Sequence, residues 1–207
     1  MAYFPFFMDI TDRTALIVGG GMTAYRKAEI LLSFGVRLTV VSPNNTAGFY
    51  GLKNTKIIER CFEDADIEGV FMVVAATDSR ETNRRVSILC QKNKIPVNVV
   101  DDIELCTFIF PSITKHGDLV CGISSGGNGP VITQYIKETI NNSIPDYIGD
   151  INWRMGSIRE LAKKTIPCQQ KRADTIRSVF KLLMNKRNSV SDAEIENIIK
   201  KAGDKND

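Results

Sequence analysis

A glycine-rich stretch near the N-terminus carries the first residues whose spacing predicts chemistry. Four apolar residues, 15–18, run into Gly19-x-Gly21-x-x-Ala24, and a helical apolar pattern follows. In a turn of this form, the second glycine lets the backbone approach a pyrophosphate, and the helix N-terminus offers free N–H groups to the phosphates. A plain glycine turn is the alternative. The residues predicted to bind a dinucleotide here are Gly19, Gly21, Met22 and Thr23.

The end of the second predicted strand, residues 36–41, indicates which dinucleotide is favoured. An acidic residue in this position normally holds the adenosine ribose. Polar, uncharged residues follow this strand instead, and no arginine stands close enough to meet a 2′-phosphate. We therefore predict NAD, with an asparagine amide available to the ribose. The strand predicted at 70–76 ends in the small residues Ala75 to Thr77. Small residues here are expected if the strand passes beneath the cofactor, and equally if it packs against a neighbouring helix. The contacts predicted at these two strand ends are Ser42, Pro43, Asn44, Ala76 and Thr77.

Asp101 is the candidate acid–base residue. It ends the segment Asn98-Val-Val-Asp101 at the carboxyl end of a predicted strand, where ligands of doubly wound sheets bind. An exposed aspartate is a weak base at neutral pH, and burial beneath a substrate improves its proton transfer. A loop aspartate that caps backbone N–H groups is the alternative.

A second candidate site is the run Ser124-Ser-Gly-Gly127, which precedes a predicted helix. Exposed N–H groups ahead of a helix form an anion-binding nest, for which a carboxylate-bearing substrate is a natural ligand. We predict substrate contacts for Ser124, Ser125 and Gly126, with an ordinary glycine-rich connection as the alternative. The single histidine, His116, is assigned to a turn, so a Ser–His–Asp nucleophile has little support.

Strands and helices that alternate over the first hundred residues must position these groups. Continuous apolar runs such as 70–76 and 95–100 are typical of buried parallel strands, and 3.6-residue stripes are typical of helices docked on them. An aspartate at the cap position, Asp78, predicts the start of one such helix. The sequence therefore predicts an α/β fold that begins with a Rossmann-type, doubly wound parallel sheet.

The pattern changes after residue 100. Two apolar stretches, 107–110 and 118–123, flank a short polar turn and predict a hairpin. A helix is predicted from about Val131, followed by further helices and a polar tail from Gly203. The further helices are predicted at residues 146–164 and 167–185 and after a Ser191 cap.

The charge is uneven along the chain, which has a net charge of +3. Residues 151–207 are net basic and the preceding residues are net acidic. A basic helical region attracts polyanions, and a solvated helical surface is the alternative. Nucleic acid is not favoured as the polyanion, because the region shows no recognised binding motif or interleaved aromatic residues.

The cysteine and hydropathy patterns predict a cytoplasmic protein. Five cysteines are scattered without a CxxC pair, which is typical of reduced thiols. With one histidine, no metal site is predicted. No apolar run approaches the ~20 residues of a membrane span, and the N-terminus lacks a signal-peptide pattern.

Five motifs in one order resemble the siroheme synthase family, in its precorrin-2 dehydrogenase/sirohydrochlorin ferrochelatase module. The resemblance covers about residues 3–190 and is closest to the stand-alone form without a methyltransferase domain. Two conservative departures are Thr23 in place of valine and Ile103 in place of proline. The motifs are Leu16-Ile-Val-Gly-Gly-Gly-x-x-Ala-x-Arg-Lys-Ala28, Ala75-Ala-Thr77 with Asn83, Asn98-Val-Val-Asp101, Thr107-Phe-Ile-Phe-Pro111 and Ile123-Ser-Ser-Gly-Gly127.

The resemblance implies a homodimeric enzyme that oxidises precorrin-2 to sirohydrochlorin with NAD+, and in some members also inserts Fe2+ as a substrate. It implies that Asp101 is the acid–base group and that Ser124 and Ser125 contact the tetrapyrrole. It also implies three parts of the chain. They are an NAD-binding domain at residues 1–112, a dimerisation segment at 113–145 and a helical substrate-side domain at 146–207.

Two other functions stay open at this point. A non-catalytic NAD-sensing module would need the glycine turn but not Asp101 or the serine run. A methyltransferase can also use a glycine-rich turn, although the position of Ala24 disfavours it. The sequence leaves open whether chelatase activity is present and whether the product leads to siroheme or to cobalamin.

Overall fold

Short apolar segments form the strands of the first of two structural units. The computed structural model describes residues 3–204 and divides the chain into residues 1–110 and 111–207. The strands of the first unit are β1 (Thr14–Val18), β2 (Arg37–Val41), β3 (Thr55–Ile58), β4 (Met72–Ala75) and β5 (Val97–Val99). The helices of this unit are α1 (Met22–Leu32) and α2 (Arg80–Lys92).

The five strands form one parallel sheet in the order β3-β2-β1-β4-β5. The chain moves outward from β1 through β2 to β3, and then returns to the other side of β1 for β4 and β5. This reversal places a topological switch point at the carboxyl ends of β1 and β4. In open α/β sheets, ligands bind at such a point.

Both faces of the sheet are covered, because successive strand residues point to opposite sides. Ile17 of β1 packs in a buried cluster with Ala28 of α1. Its neighbour Leu16 packs in a second buried cluster with Val86 of α2. The two helices therefore lie on opposite faces, which confirms the predicted doubly wound sheet. The start of α2 differs by one residue from the prediction: Ser79, not Asp78, is its cap and accepts the Thr82 N–H at 3.2 Å.

The described residues of the second unit, 111–204, form a hairpin and four helices. The hairpin strand predicted at 118–123 is confirmed as β7, whereas the strand predicted at 107–110 was wrong, because the first hairpin strand, β6, begins at Ser112. Thr107 and Phe108 donate their N–H groups to the Val97 carbonyl, rather than to a hairpin partner. The antiparallel strands are β6 (Ser112–His116) and β7 (Leu119–Ile123), and the helices are α3 (Pro130–Ser143), α4 (Ile148–Thr165), α5 (Gln169–Asn185) and α6 (Asp192–Asp204).

The last three helices share one apolar core. Ile151 of α4, Leu183 of α5 and Ile199 of α6 are almost fully buried in it. The Ser191 cap of α6 is confirmed, because its hydroxyl accepts the Glu194 N–H at 3.2 Å. The tail predicted from Gly203 is helical through Asp204, and its remaining residues lie outside the described part of the chain. Between residues 3 and 204, no helix combines the length and hydropathy that a membrane crossing requires.

An ion pair stabilises the loop that leads into β4. Arg60 binds both carboxylate oxygens of Asp66, at 2.6 and 2.9 Å, and the Glu63 N–H donates to the same carboxylate at 2.8 Å. The Arg60 hydrogen bond is the main cause that lowers the pKa of Asp66, and the Glu63 N–H adds to it. The Asp66 side chain is only 7% exposed, so solvent screens this interaction weakly.

Asp66→Asn is expected to lower the free energy of unfolding at pH 7 by about 1–2 kcal/mol. A depressed carboxylate pKa contributes stability above the unfolded value of about 3.9, and that stability is lost as the pH falls through the folded value. The variant should therefore lose more stability at pH 7 than at pH 3, as measured by urea unfolding. Asp64→Asn is the control, because its pair with Arg85 is exposed on both sides. Equal losses of stability in Asp66→Asn and Asp64→Asn would show that the Arg60–Asp66 pair does not have the special role assigned to it.

Candidate functional site at the carboxyl edge of the sheet

The glycine turn after β1 is held tightly between its neighbours. The Gly19 N–H donates to the Val41 carbonyl at 2.9 Å, and Gly19 has a φ of +120°. A Cβ on Gly19 would lie 2.3 Å from the Ala76 carbonyl oxygen, and one on Gly20 would lie 2.1 Å from the Asn44 carbonyl oxygen. Only glycine fits these two positions, because both obstacles are backbone atoms.

Gly21 differs from the two glycines before it. A Cβ on Gly21 would meet no atom within 4 Å among the described residues. It is the N-cap of α1 and has no side chain to occupy the first-turn N–H groups. Met22 and Thr23 are exposed, and the first turn carries no acidic side chain. The helix therefore presents open space, free donors and the positive end of its dipole, which is the arrangement that binds a phosphate group.

The loop after β2 is tied to this turn. Thr46 donates to the Gly20 carbonyl through its N–H at 2.8 Å and its hydroxyl at 2.9 Å. Ser42 is buried and its hydroxyl donates to the Asn44 carbonyl at 2.7 Å, so the Ser42 proton is already used. Pro43 and Asn44 are exposed at the strand end. The Asn44 side chain is thus the polar group that this strand end offers to a ribose.

The loop after β4 is held by one buried side chain. Asn83 of α2 accepts from the Thr77 N–H at 3.2 Å and from its hydroxyl at 2.8 Å. The amide of Asn83 donates to the Thr77 carbonyl at 2.9 Å. Ala76 and Thr77 are half-buried at the carboxyl edge beside Gly19. Asn83 therefore fixes the backbone of the segment that was predicted to lie beneath the cofactor.

Asp101 lies in a turn that follows β5, at the same edge of the sheet. It is exposed and has a φ of +60°, in the left-handed region that aspartate tolerates better than most residues. The thiol of Cys106 spans this turn. Its sulfur accepts the Val99 N–H at 3.1 Å, and its S–H is 3.2 Å from the Asp102 carbonyl. Burial raises the pKa of the Cys106 thiol, so the thiol stays neutral and can donate.

Lys27 of α1 is a cation beside this turn. Its side chain is half-buried, and its Nζ lies 4.1 Å from the centre of the Phe110 ring. Burial lowers the pKa of Lys27, while the negative charge of Asp101 acts in the opposite direction. The helix that begins at the glycine turn thus brings a positive charge into the field of Asp101.

The serine run lies between β7 and α3 in the second unit. The Ser124 hydroxyl accepts the Gly126 N–H at 3.1 Å, and the Ser125 hydroxyl accepts the Gly129 N–H at 3.0 Å. Two N–H groups of the predicted nest are therefore occupied by the serines themselves. Each serine keeps its own hydroxyl proton, so the run offers O–H donors as well as its remaining N–H groups.

A family model described as "Putative NAD(P)-binding" matches residues 6–112, which include β1 to β5 and the whole glycine turn. The match covers more than half of the chain. The chain belongs to this NAD(P)-binding family. The geometry of residues 19–23 fits a dinucleotide, because Gly21 leaves open the space that a Cβ would fill and the first turn of α1 has free donors.

Curated relatives of this NAD(P)-binding protein carry the name siroheme synthase. The chain is 41% identical over 170 residues to the one from Thioalkalivibrio sulfidiphilus (strain HL-EbGR7), covering 81% of this chain and 35% of that protein. It is 37% identical over 166 residues to the one from Vesicomyosocius okutanii subsp. Calyptogena okutanii (strain HA), covering 79% and 36%. The chain thus spans about a third of the length of these relatives.

A solved structure, "SirC, precorrin-2 dehydrogenase", shares the fold over nearly the whole chain. The TM-score is 0.71 at 20% sequence identity, and the match covers 97% of this chain and 98% of that one. The fold of the NAD(P)-binding sheet followed by the hairpin and helices is therefore the fold of that protein.

The structure brings most of the predicted site residues together. The glycine turn, the 42–44 loop, residues 76–77 and Asp101 all follow strands at one carboxyl edge, whereas Ser124, Ser125 and Gly126 belong to the second unit. Within residues 3–204, no three His, Cys, Asp or Glu side chains are grouped to hold a metal ion. The residues that sequence reasoning did not assign to the site are Lys27, Thr46, Asn83 and Cys106.

Proposed function

We propose that the protein is a precorrin-2 dehydrogenase, which oxidises precorrin-2 to sirohydrochlorin and reduces NAD+ to NADH. The observation that carries the proposal is the carboxylate of Asp101 at the same strand edge as the open N-terminus of α1. The names of the curated relatives and of the fold neighbour agree with it. NAD rather than NADP is supported by the lack of a basic side chain in the loop at residues 42–46.

In this reaction some residues bind the cofactor, and Asp101 transfers a proton. The first turn of α1 holds the pyrophosphate, and Asn44 is available to the ribose. When bound, NAD+ supplies the acceptor for the hydride that leaves a substrate carbon. Asp101 takes the proton that the substrate must lose for the new double bond to form, and later releases it to water.

The tetrapyrrole is a polycarboxylate, and the second unit offers basic groups for it. Arg159 and Lys164 line a surface groove of about 910 Å³ together with Trp153 and Asp118. Arg154 is less available, because it is bound to Asp192 at 2.7 Å and to the loop before α6. Ser124 and Ser125 add hydroxyl donors to the proposed substrate contacts.

Replacing Arg159 and Lys164 together by glutamate is expected to raise the KM for precorrin-2 about tenfold at low ionic strength, with a smaller effect at high salt, because the attraction is electrostatic. Initial rates across a salt series measure this. Lys200→Glu on α6 is the control, since it changes the charge of an exposed residue outside the groove. A KM that stays the same at every ionic strength would show that these side chains do not meet the substrate.

The deciding experiment mixes the protein with NAD+ and precorrin-2 and follows NADH absorbance. Formation of NADH supports the dehydrogenase, and a parallel reaction with NADP+ tests the choice of cofactor. Binding of NAD+ without turnover would favour the alternative, an NAD-sensing regulatory module. Adding Fe2+ or Co2+ to the sirohydrochlorin formed tests chelation as a second activity, with the metal as substrate.

We also propose a cytoplasmic homodimer. All five cysteines are free thiols, as expected in a reducing compartment. One side of α3 leaves Val131 81% exposed and Tyr135 68% exposed, which is costly in water and suits a contact between two copies of the 113–145 segment. Sedimentation analysis measures the assembly, and a monomer at micromolar concentration would refute this part of the proposal.

A further inference from the structure

Lys27 is a half-buried ammonium with no anionic partner in the described chain. Among residues 3–204, its Nζ forms no ion pair and no hydrogen bond, and its contact is the Phe110 ring at 4.1 Å. An ammonium has three N–H donors. The face of an aromatic ring does not provide any of them with an acceptor oxygen. Removing such a group from water costs free energy unless a ligand supplies the missing oxygen.

The surroundings of Lys27 favour an anion at this place. Phe110 ends a segment that is tied to β5, because Asn98 donates to the Phe108 carbonyl at 3.2 Å and Thr107 donates to Val97 at 2.8 Å. The ring under Lys27 is therefore fixed relative to the turn that carries Asp101. Burial lowers the pKa of Lys27, and the negative charge of Asp101 opposes this effect. A bound anion would favour the charged ammonium in the same way.

The position of Lys27 along α1 indicates whether the anion belongs to the cofactor or to the substrate. Lys27 lies five residues after Met22, the first residue of the helix. At a rise of about 1.5 Å per residue, its Cα stands roughly 7–8 Å along the helix axis from the turn that receives the pyrophosphate. Its ammonium lies close enough to Asp101 for the two charges to interact, and Asp101 is where the substrate must react.

We propose that Lys27 binds an anionic oxygen of the substrate, a carboxylate of the tetrapyrrole, and so holds the reacting carbon in place beside Asp101. This inference rests on the proposed function. Lys27 is a substrate-binding and positioning residue rather than a proton-transfer group. A cofactor phosphate presents the same chemistry, and the test below separates the two sources.

The test compares Lys27→Met, which keeps the length of the side chain, with Lys27→Arg, which keeps the charge, and with Arg26→Met as the matched control on the same helix. Arg26 is exposed and adjacent, so its variant makes the same change of charge away from the turn. For each variant, the affinities for sirohydrochlorin and for NAD+ are measured by titration, along with KM, kcat and Tm. Sirohydrochlorin carries the same class of carboxylates as the substrate and needs no turnover to report binding.

Lys27→Met is expected to weaken sirohydrochlorin binding and to raise the KM for precorrin-2 by roughly 10- to 100-fold, the value of one charge-assisted hydrogen bond. NAD+ affinity and Tm should change little, Lys27→Arg should recover most of the loss, and Arg26→Met should match the parent protein. Weaker NAD+ binding with unchanged sirohydrochlorin binding would overturn the inference in favour of a cofactor phosphate. Unchanged affinity for both ligands would overturn it altogether.

The failure of this inference and the failure of the proposed function give different results. If the parent protein forms NADH but Lys27→Met has an unchanged KM, only the role of Lys27 is refuted. If the parent protein binds both ligands without forming NADH, the dehydrogenase is refuted, and the ratio of sirohydrochlorin affinities still decides the role of Lys27.

Discussion

Asp101→Asn is expected to lower kcat for NADH formation by about 100-fold or more, because a positioned acid–base group contributes roughly 10²- to 10⁴-fold to a rate. The amide has the same shape as the carboxylate but cannot take the proton. Asparagine also tolerates the left-handed backbone, with its φ of +60°, that Asp101 adopts. The fold and the affinity for NAD+ should therefore be preserved, so that the loss appears in kcat.

Asp102→Asn is the matched control for this variant. Asp102 is the adjacent carboxylate and is also exposed, but its φ of −140° lies in the extended region. Steady-state rates, NAD+ titration and circular dichroism should show near-parental behaviour for Asp102→Asn. Full turnover in Asp101→Asn would remove Asp101 from the mechanism, and an equal loss in both variants would show that the general charge of the turn is what matters.

Gly19→Ala is expected to destabilise the protein by about 2–6 kcal/mol. A side chain at a φ of +120° costs roughly 1–3 kcal/mol in backbone strain, and overpacking adds roughly 1–3 kcal/mol. The clash is with the Ala76 carbonyl at 2.3 Å, a backbone atom in the adjacent loop. That loop is locked by Asn83, so it cannot move away cheaply. Since domains are stable by about 5–15 kcal/mol, this variant should lose much of its stability and its NAD+ binding.

Gly21→Ala provides the contrast within the same turn. Its φ of −77° and ψ of 178° suit any residue, and no described atom lies within 4 Å of the added Cβ. The free energy of unfolding should fall by no more than about 1 kcal/mol, because alanine is a poorer N-cap than glycine. Affinity for NAD+ should nevertheless fall at least about tenfold, because the methyl group would occupy the space that we propose for the pyrophosphate. Thermal unfolding with and without NAD+ measures both effects. An unaltered NAD+ affinity in Gly21→Ala would place the cofactor elsewhere.

Residues close together in the sequence could be assigned to the dinucleotide site without a structure. The strand, glycine turn and helix at residues 14–32 are consecutive, and their local backbone conformations set the cradle. Strand–helix alternation likewise predicted the parallel sheet, since apolar runs and 3.6-residue stripes report directly on burial. The prediction of a strand at 107–110 was wrong for a related reason. Its apolar residues are half-buried, but the N–H groups of Thr107 and Phe108 donate to the Val97 carbonyl. An apolar pattern does not distinguish such a segment from a strand.

The amino-acid sequence by itself determined the sheet, the glycine cradle and Asp101 as a residue at a strand end, because these depend on local conformation and on burial patterns of short period. Only the tertiary structure decided what surrounds them. Asn83 holds Thr77, Cys106 spans the Asp101 turn, and Lys27 stands on the Phe110 ring next to that turn. The Lys27 contact joins residues that are far apart in the chain. It exists only because the strand order brings α1 and the end of β5 to one edge of the sheet.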